Sequence, residues 1–302
     1  VEGKMPPRPR PAERSAECAI WTMIWGTTMP YLDNSLLIFT DLDGSLLDHD
    51  DYSWKPAQGW LDQLAAHQVP VVITTSKTAA EVTELQKALH LTDVPFIAEN
   101  GAVIALPESW GDHLAYPRKV FGAEYGEIRK IIDALRLRYD FECRGFGDVN
   151  AAQVADWTGL PVDDAQLAMT REGSEPLVWF GDERDLARFE GYLNQEGLTL
   201  TRGGRFWHVM GAGVSKGQAV QWLAGEYRCR RGHPMVTIGL GDGPNDLSML
   251  NAVDHAVVIR GHHDQPMPLS HEESGRVFRT TLYGPQGWKQ GLDHVIKKHA
   301  PA

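Results

Sequence analysis

Asp41-Leu42-Asp43-Gly44-Ser45 follows directly on the apolar run Leu36 to Thr40. Carboxylates two positions apart in extended chain point the same way, so both can face one site at the carboxyl end of a sheet, and Gly44 permits a sharp turn away. Such a pair can ligate a hard cation, attack an electrophile or pass a proton. Alone the pattern is weak, because Asp-x-Asp also occurs in glycosyltransferases, calcium loops and ordinary solvated turns. The calcium-loop reading fails here: Leu46 stands where that loop needs glycine, and no Glu occupies its twelfth position.

A second constellation, Gly239-Leu240-Gly241-Asp242-Gly243-Pro244-Asn245-Asp246, again follows an apolar run and opens a helix. Its glycines do not have the dinucleotide-fingerprint spacing. Asp242 falls at the strand end and Asp246 in the first helical turn, while the glycines let the backbone approach a ligand or a metal. The bland alternative is a strand-turn-helix with an Asp/Asn cap, which would suffice for one Asp but not for this density of Gly, Asp and Asn. Thr75 ends another apolar run and could do no more than that. Lys216 falls in the first turn of a helix, where a cation is mildly unfavourable with respect to the dipole, so a functional reason for it gains weight.

The elements that must position these residues alternate. Leu36–Thr40, Val69–Thr75, Pro95–Glu99, Val236–Leu240 and His255–Ile259 read as buried strands, and Pro56–His67, Thr78–His90 and Asn245–Ala252 as helices. This is an α/β pattern, a doubly wound, mostly parallel Rossmann-like sheet built from the two ends of the chain. Between them the pattern changes, with helices at Glu124–Tyr139 and Glu183–Glu196 and strands at Leu177–Phe180 and Leu198–Arg202. The expected organisation is a leader over residues 1–30, a core from 31–105 and 205–302, and an inserted α+β cap domain over 106–204.

The chain has 302 residues, long enough for two lobes, and carries 29 basic against 40 acidic side chains, a net charge of -11. That balance disfavours nucleic acid and anionic membrane surfaces as partners and leaves a small-molecule substrate. Cys18, Cys143 and Cys229 are dispersed, with no metal-ligand spacing and no disulfide framework to read from it. No apolar run approaches a transmembrane length, and a cytoplasmic location is expected. The Pro- and Arg-rich start imitates a signal peptide poorly, since Glu13 and Glu17 interrupt its basic part; Met29 is a sensible alternative start. Nothing in the sequence speaks to oligomeric state.

DLDGSLLD (41–48), Thr75 of VVITTSKT (71–78), Lys216 of SKG (215–217) and GDGPND (241–246) resemble the four ordered motifs of the haloacid dehalogenase superfamily. SKTAAEV (76–82), AENGAVI (98–104), RFWHV (205–209) and YGPQGW (283–288) sharpen this into a similarity to mannosyl-3-phosphoglycerate phosphatases, from Leu36 to the C-terminus. The Gly-rich lead from Gly211 to Val214 into Lys216 departs from the pattern. The resemblance implies a magnesium-dependent phosphatase acting through an aspartyl-phosphate. Asp41 would be the nucleophile and Asp43 the general acid and base. Thr75 and Lys216 would contact the phosphoryl oxygens. Mg2+ would be held by Asp41, the Asp43 carbonyl and Asp242, with Asp246 behind them.

Substrate recognition would fall to Lys77, Glu99, Asn100, Arg205, His208 and Asn245, with Trp288 stacking on a sugar. The implied substrate is a small phosphorylated sugar-glycerate, mannosyl-3-phosphoglycerate. The glucosyl analogue, a hexose phosphate, a phosphomutase reaction and a non-catalytic binding module are the alternatives.

Overall fold

The structure, a computed structural model, describes residues 30–203, 205–261, 267–270 and 272–297, so the expected leader falls outside the described residues except for Pro30. The first half of the chain gives β1 (Leu36–Thr40), α1 (Gln58–Ala66), β2 (Val71–Ile73), α2 (Ala79–Ala88), β3 (Phe96–Ala98), β4 (Val103–Ala105), β5 (Arg118–Val120), α3 (Tyr125–Tyr139) and β6 (Cys143–Gly145). The second half gives α4 (Ala151–Thr158), α5 (Val162–Ala168), β7 (Ser174–Trp179), α6 (Glu183–Gln195), β8 (Leu198–Arg202), β9 (Trp207–Gly211) and α7 (Lys216–Arg231). It ends with β10 (Val236–Gly241), α8 (Leu247–Ala252), β11 (His255–Arg260), β12 (Val277–Tyr283) and α9 (Gly284–Val295).

The central sheet has the order β12-β11-β10-β1-β2, and every pairing in it is parallel. The unbroken apolar run of β1 follows from this, because both faces are covered. Leu36 and Ile38 pack among Trp60, Leu64, Val82, Trp288 and Leu292 from α1, α2 and α9. Leu37 and Phe39 pack on the opposite face among Leu223, Tyr227, Met249 and Leu250 from α7 and α8. This is the doubly wound α/β class expected from the alternation of elements.

β3 forms where a strand was expected and meets the end of β2 through the parallel bridge between Thr74 and Ile97, but it also pairs antiparallel with β4, which pairs in turn with β5. The cause is local: Glu99, Asn100 and Gly101 all have positive φ, of 51°, 55° and 101°, and this left-handed turn sends the chain back on itself as a hairpin.

The inserted segment builds a four-stranded antiparallel sheet, β6-β7-β9-β8. One face of it packs Leu177, Leu200 and Val209 against Ile128, Ile132, Phe189 and Leu193 of α3 and α6. Because β9 is a member, this sheet runs to Gly211. α4 and α5 pack on each other around Phe146, Val154, Ala165 and Ala168. α5 also meets the core, where Thr78 Oγ1, at the N-terminus of α2, donates to the Leu167 carbonyl at 2.9 Å. Among the described residues, no helix is long and apolar enough to cross a membrane.

Candidate active site

β1 and β10 are neighbours, with Thr40 opposite Leu240. From them the chain winds outward in opposite directions, to β2 on one side and β11 on the other, so Asp41 and Asp242 leave the sheet together at its switch point. The Asp41 N–H donates to the Leu240 carbonyl at 2.9 Å, and its side chain is buried. Gly44 turns the chain away with a φ of 78°, and a Cβ there would meet Asp242 Oδ2 at 2.7 Å, so only glycine leaves room for both motifs. Ser45 Oγ donates to Asp242 Oδ1 at 3.3 Å.

Lys216 opens α7, behind the N-cap Ser215. Its Nζ lies 2.7 Å from Asp41 Oδ1 and 2.6 Å from Asp246 Oδ1, wholly buried between them. The second oxygen of Asp246 accepts the backbone N–H groups of Asp242 at 3.1 Å and Gly243 at 3.0 Å. Carboxylate atoms of Asp41, Asp242 and Asp246 all lie within 4.8 Å of one another, a grouping able to hold a metal ion. Because both oxygens of Asp246 are already engaged, Asp41 and Asp242 are the carboxylates of this group best placed to offer an oxygen to a cation.

The electrostatics point the same way. Burial, then Asp246 and Asp242, push the Asp41 carboxyl well above the usual range, against the opposing pull of Lys216. Burial and then Asp246 push Asp242 up to about 7, with Lys216 and Ser45 opposing. Burial works against the charge on Lys216, but Asp246 and Asp41 outweigh it and hold its pKa above the ordinary value. Three carboxylates against one ammonium leave an excess of negative charge that a hard divalent cation, with its preference for oxygen, suits well.

Thr75 is buried behind β2; its N–H donates to the Ile97 carbonyl at 3.0 Å and its Oγ1 accepts from the Lys77 N–H at 3.2 Å. The hydroxyl hydrogen remains available as a donor. Lys77 Nζ lies 2.9 Å from Asp43 Oδ2. Asn100 is tied to this loop by its N–H, which donates to the Thr75 carbonyl at 2.9 Å, while its Oδ1 accepts from Asn245 Nδ2 at 3.3 Å. The structure therefore brings together Asp41, Asp43, Thr75, Lys77, Asn100, Lys216, Asp242, Asn245 and Asp246 from distant parts of the chain.

Other residues named from the sequence stand elsewhere. Trp288 is 0% exposed in the core, with Nε1 donating to Thr40 Oγ1 at 2.9 Å, so it has no face to offer a sugar. Its place on the inward side of α9 decides this. The Glu99 carboxylate is fully buried and accepts from Glu172 N at 2.8 Å, Gly173 N at 3.1 Å and Ser174 Oγ at 2.7 Å, which spends it on holding the start of β7. Arg205 is exposed in the turn before β9. His208 is buried on β9, its Nδ1 without a partner among the described residues, and burial followed by the charge of Arg171 lowers its pKa to about 3.

Sequence reasoning passed over three residues. Ser45 was visible as a hydroxyl next to the turn glycine. Thr40, whose Oγ1 donates to the Asp41 carbonyl at 2.7 Å while accepting from Trp288, looked like one more strand residue. Arg171, in the loop between α5 and β7, donates from Nη1 to the Ser76 carbonyl at 3.1 Å, and no local pattern signals a contact across 95 positions.

Residues 38–140 and 163–266 match the family model of the haloacid dehalogenase-like hydrolases. Among solved structures, the chain is similar to Thermoplasma acidophilum 0175, with 18% identity and a TM-score of 0.62 over 89% of this chain and 99% of that one. It is similar to the phosphatase BT1666 from Bacteroides thetaiotaomicron, with 20% identity and a TM-score of 0.61 over 91% of this chain and 98% of the other. The sugar phosphatase BT4131, described as a subclass IIB member of the same superfamily, matches at 17% identity and a TM-score of 0.58, covering 86% and 98%.

Proposed function

Because the chain belongs to the haloacid dehalogenase-like hydrolases, we propose that it is a phosphatase that hydrolyses a small phosphorylated sugar derivative, with mannosyl-3-phosphoglycerate as its substrate. The observation that carries the phosphatase reading is the meeting of Asp41 and Asp242 from adjacent parallel strands, with Lys216 2.7 Å from Asp41 and Asp43 two residues further on. The sugar-glycerate follows from the strings that resemble mannosyl-3-phosphoglycerate phosphatases, and the likeness to the sugar phosphatase BT4131 supports the same class.

In this reading an Asp41 carboxylate oxygen attacks phosphorus and the bond to the substrate's oxygen breaks. Asp43 gives its proton to that leaving oxygen. It then takes a proton from a water whose oxygen attacks the aspartyl-phosphate, releasing inorganic phosphate and restoring Asp41. Thr75 Oγ1 and Lys216 Nζ face the phosphoryl oxygens, where negative charge is spread in a loose transition state. Lys77 holds Asp43 in place. Asp41, Asp242 and the Asp43 carbonyl would hold Mg2+, which would supply the positive charge that lets a carboxylate approach a phosphate dianion. Asp246, its oxygens taken by Lys216 and two backbone N–H groups, keeps both the lysine and the Asp242 loop in position.

The test is phosphate release from mannosyl-3-phosphoglycerate, its glucosyl analogue, 3-phosphoglycerate and hexose phosphates, with and without magnesium, beside Asp41→Asn. A preference for the mannosyl compound that Asp41→Asn abolishes is the expected result. Equal weak rates on all esters would discard the substrate, and activity surviving in Asp41→Asn would overturn the mechanism.

A further inference from the structure

The motif that carries Asp43 closes on itself, because Asp43 bridges to Leu47 and the Gly44 N–H donates to the Leu47 carbonyl at 3.0 Å. The next turn hangs directly from this one. The Asp48 N–H donates to the Ser53 carbonyl at 3.0 Å, and the Asp48 carbonyl accepts the Tyr52 N–H at 3.2 Å. Asp48 Oδ1 accepts the Asp50 N–H at 2.9 Å, and Asp51 Oδ1 accepts the Ser53 N–H at 2.8 Å. These bonds hold Tyr52 at a φ of 56°, in the left-handed region that a bulky side chain rarely adopts and that Gly or Asn would occupy with less strain. Tyr52 is also 43% exposed, so core packing does not account for a tyrosine here. Backbone strain of this kind persists where the surroundings over-determine it, and it gathers at functional sites.

The strained turn sets the Tyr52 ring beside a charge. Lys77 Nζ lies 5.6 Å from the ring centroid and 2.9 Å from Asp43 Oδ2. An ammonium brought in from the segment after β2 is thus held between a ring and a carboxylate that belong to one continuous stretch, residues 43–52. Glu81 also attracts Lys77, but its Oε2 is engaged by the Thr78 N–H at 2.8 Å and the Thr78 hydroxyl at 2.9 Å. A lysine on a flexible four-carbon stem has many rotamers, and an aromatic face within about 6 Å of the ammonium favours those that keep it there.

We propose that Tyr52 is a positioning residue for proton transfer: its ring confines the Lys77 ammonium against Asp43 and so keeps that carboxyl aimed at the leaving oxygen. The inference rests on the phosphatase reading of the Asp41 site and does not depend on which ester is the substrate. It also gives the left-handed tyrosine a reason, since the residues that would relax the backbone lack the ring.

The experiment measures kcat on the best alkyl phosphate of the substrate panel and on p-nitrophenyl phosphate, for the full-length protein, Tyr52→Asn, Tyr52→Phe, Lys77→Met and the double variant Tyr52→Asn/Lys77→Met, with thermal unfolding of each. Tyr52→Asn lowers kcat on the alkyl phosphate about fivefold and on p-nitrophenyl phosphate by less than about twofold, while its unfolding temperature stays level or rises. Tyr52→Phe keeps the ring and recovers the loss. In the Lys77→Met background Tyr52→Asn costs nothing further, because the two residues act as one unit. Equal losses on both esters, or a loss that adds in full to that of Lys77→Met, overturn the inference and leave the phosphatase intact. A wild-type protein inert toward every ester removes the phosphatase reading itself. If Tyr52→Asn does not fold, Tyr52→Leu takes its place in the same comparison, where rates equal to wild type on both esters overturn the role of the ring.

Discussion

The ammonium of Lys77 sits 2.9 Å from Asp43 Oδ2, while Oδ1 of the same carboxylate is buried with no partner among the described residues. Burial opposes the charge on Lys77, but Asp43 and Glu81 outweigh it and raise the lysine pKa above its ordinary value. The cation is therefore permanent across the neutral range, and it fixes the orientation of the group proposed to pass the proton.

Proton transfer to the leaving oxygen matters for a sugar alcohol and hardly at all for p-nitrophenolate, a stable anion. Lys77→Met should therefore cost roughly 100-fold in kcat on an alkyl phosphate and about tenfold or less on p-nitrophenyl phosphate. Steady-state kinetics on the two esters check this; equal losses would place Lys77 outside proton transfer.

The Asp242 carboxyl makes a prediction about metal and pH together. It is held at about 7 in the fold against an ordinary 3.8, mainly by burial and then by Asp246. The folded state thus keeps a proton that the unfolded chain releases, so this contribution to stability is complete below about pH 4 and lost as pH rises through about 7. Magnesium displaces the same proton, and the rise in unfolding temperature on adding it should grow with pH between about 5 and 8. Thermal melts with and without magnesium measure this, and Asp242→Asn should flatten both the pH slope and the magnesium effect. A magnesium shift that is constant with pH, or intact in Asp242→Asn, removes Asp242 from the metal site.

The sequence disclosed the parallel sheet and the clustering of Asp41 with Asp242 because both are written locally: apolar runs of strand length, each ending in Gly and Asp. The strand at Pro95–Glu99 was legible, but the hairpin that follows it was not, because a short apolar run carries no information about an antiparallel partner, which the left-handed turn at Glu99 and Asn100 selects. Trp288 shows the limit for side chains. An aromatic near a helix start is the same letter whether it faces a substrate or the core, and only the docking of α9 onto β1 decided between them. Glu99 and Arg171 belong to contacts between lobes, which no periodicity encodes.

Trp288 acts on the site through Thr40, whose hydroxyl accepts from the indole at 2.9 Å and donates to the Asp41 carbonyl at 2.7 Å. Trp288→Phe keeps most of the buried ring but leaves Thr40 without its donor, at an expected cost of about 1 to 2 kcal/mol in stability. Because the backbone of Asp41 is what shifts, kcat should fall while KM changes little. Urea unfolding and steady-state kinetics test both halves; a large rise in KM with kcat intact would restore the substrate-platform role that the core position denies.

His208 gives the opposite pH dependence to Asp242. Burial, and then Arg171, lower its pKa from 6.5 to about 3, so the folded protein holds it neutral where the unfolded chain takes up a proton. The stability this permits is complete above about pH 6.5 and drains away as pH falls through the window between the two values. By about pH 5 the loss reaches about 2 kcal/mol, since each unit of pH below the unfolded value costs about 1.4 kcal/mol. Measured by denaturant unfolding in saturating magnesium, where Asp242 is already ionised, the wild-type protein should lose this amount between about pH 7 and 5. His208→Gln, which cannot take up the proton, should lack that component of the slope. An unchanged slope in the variant would mean that the ring is not held neutral between the two lobes.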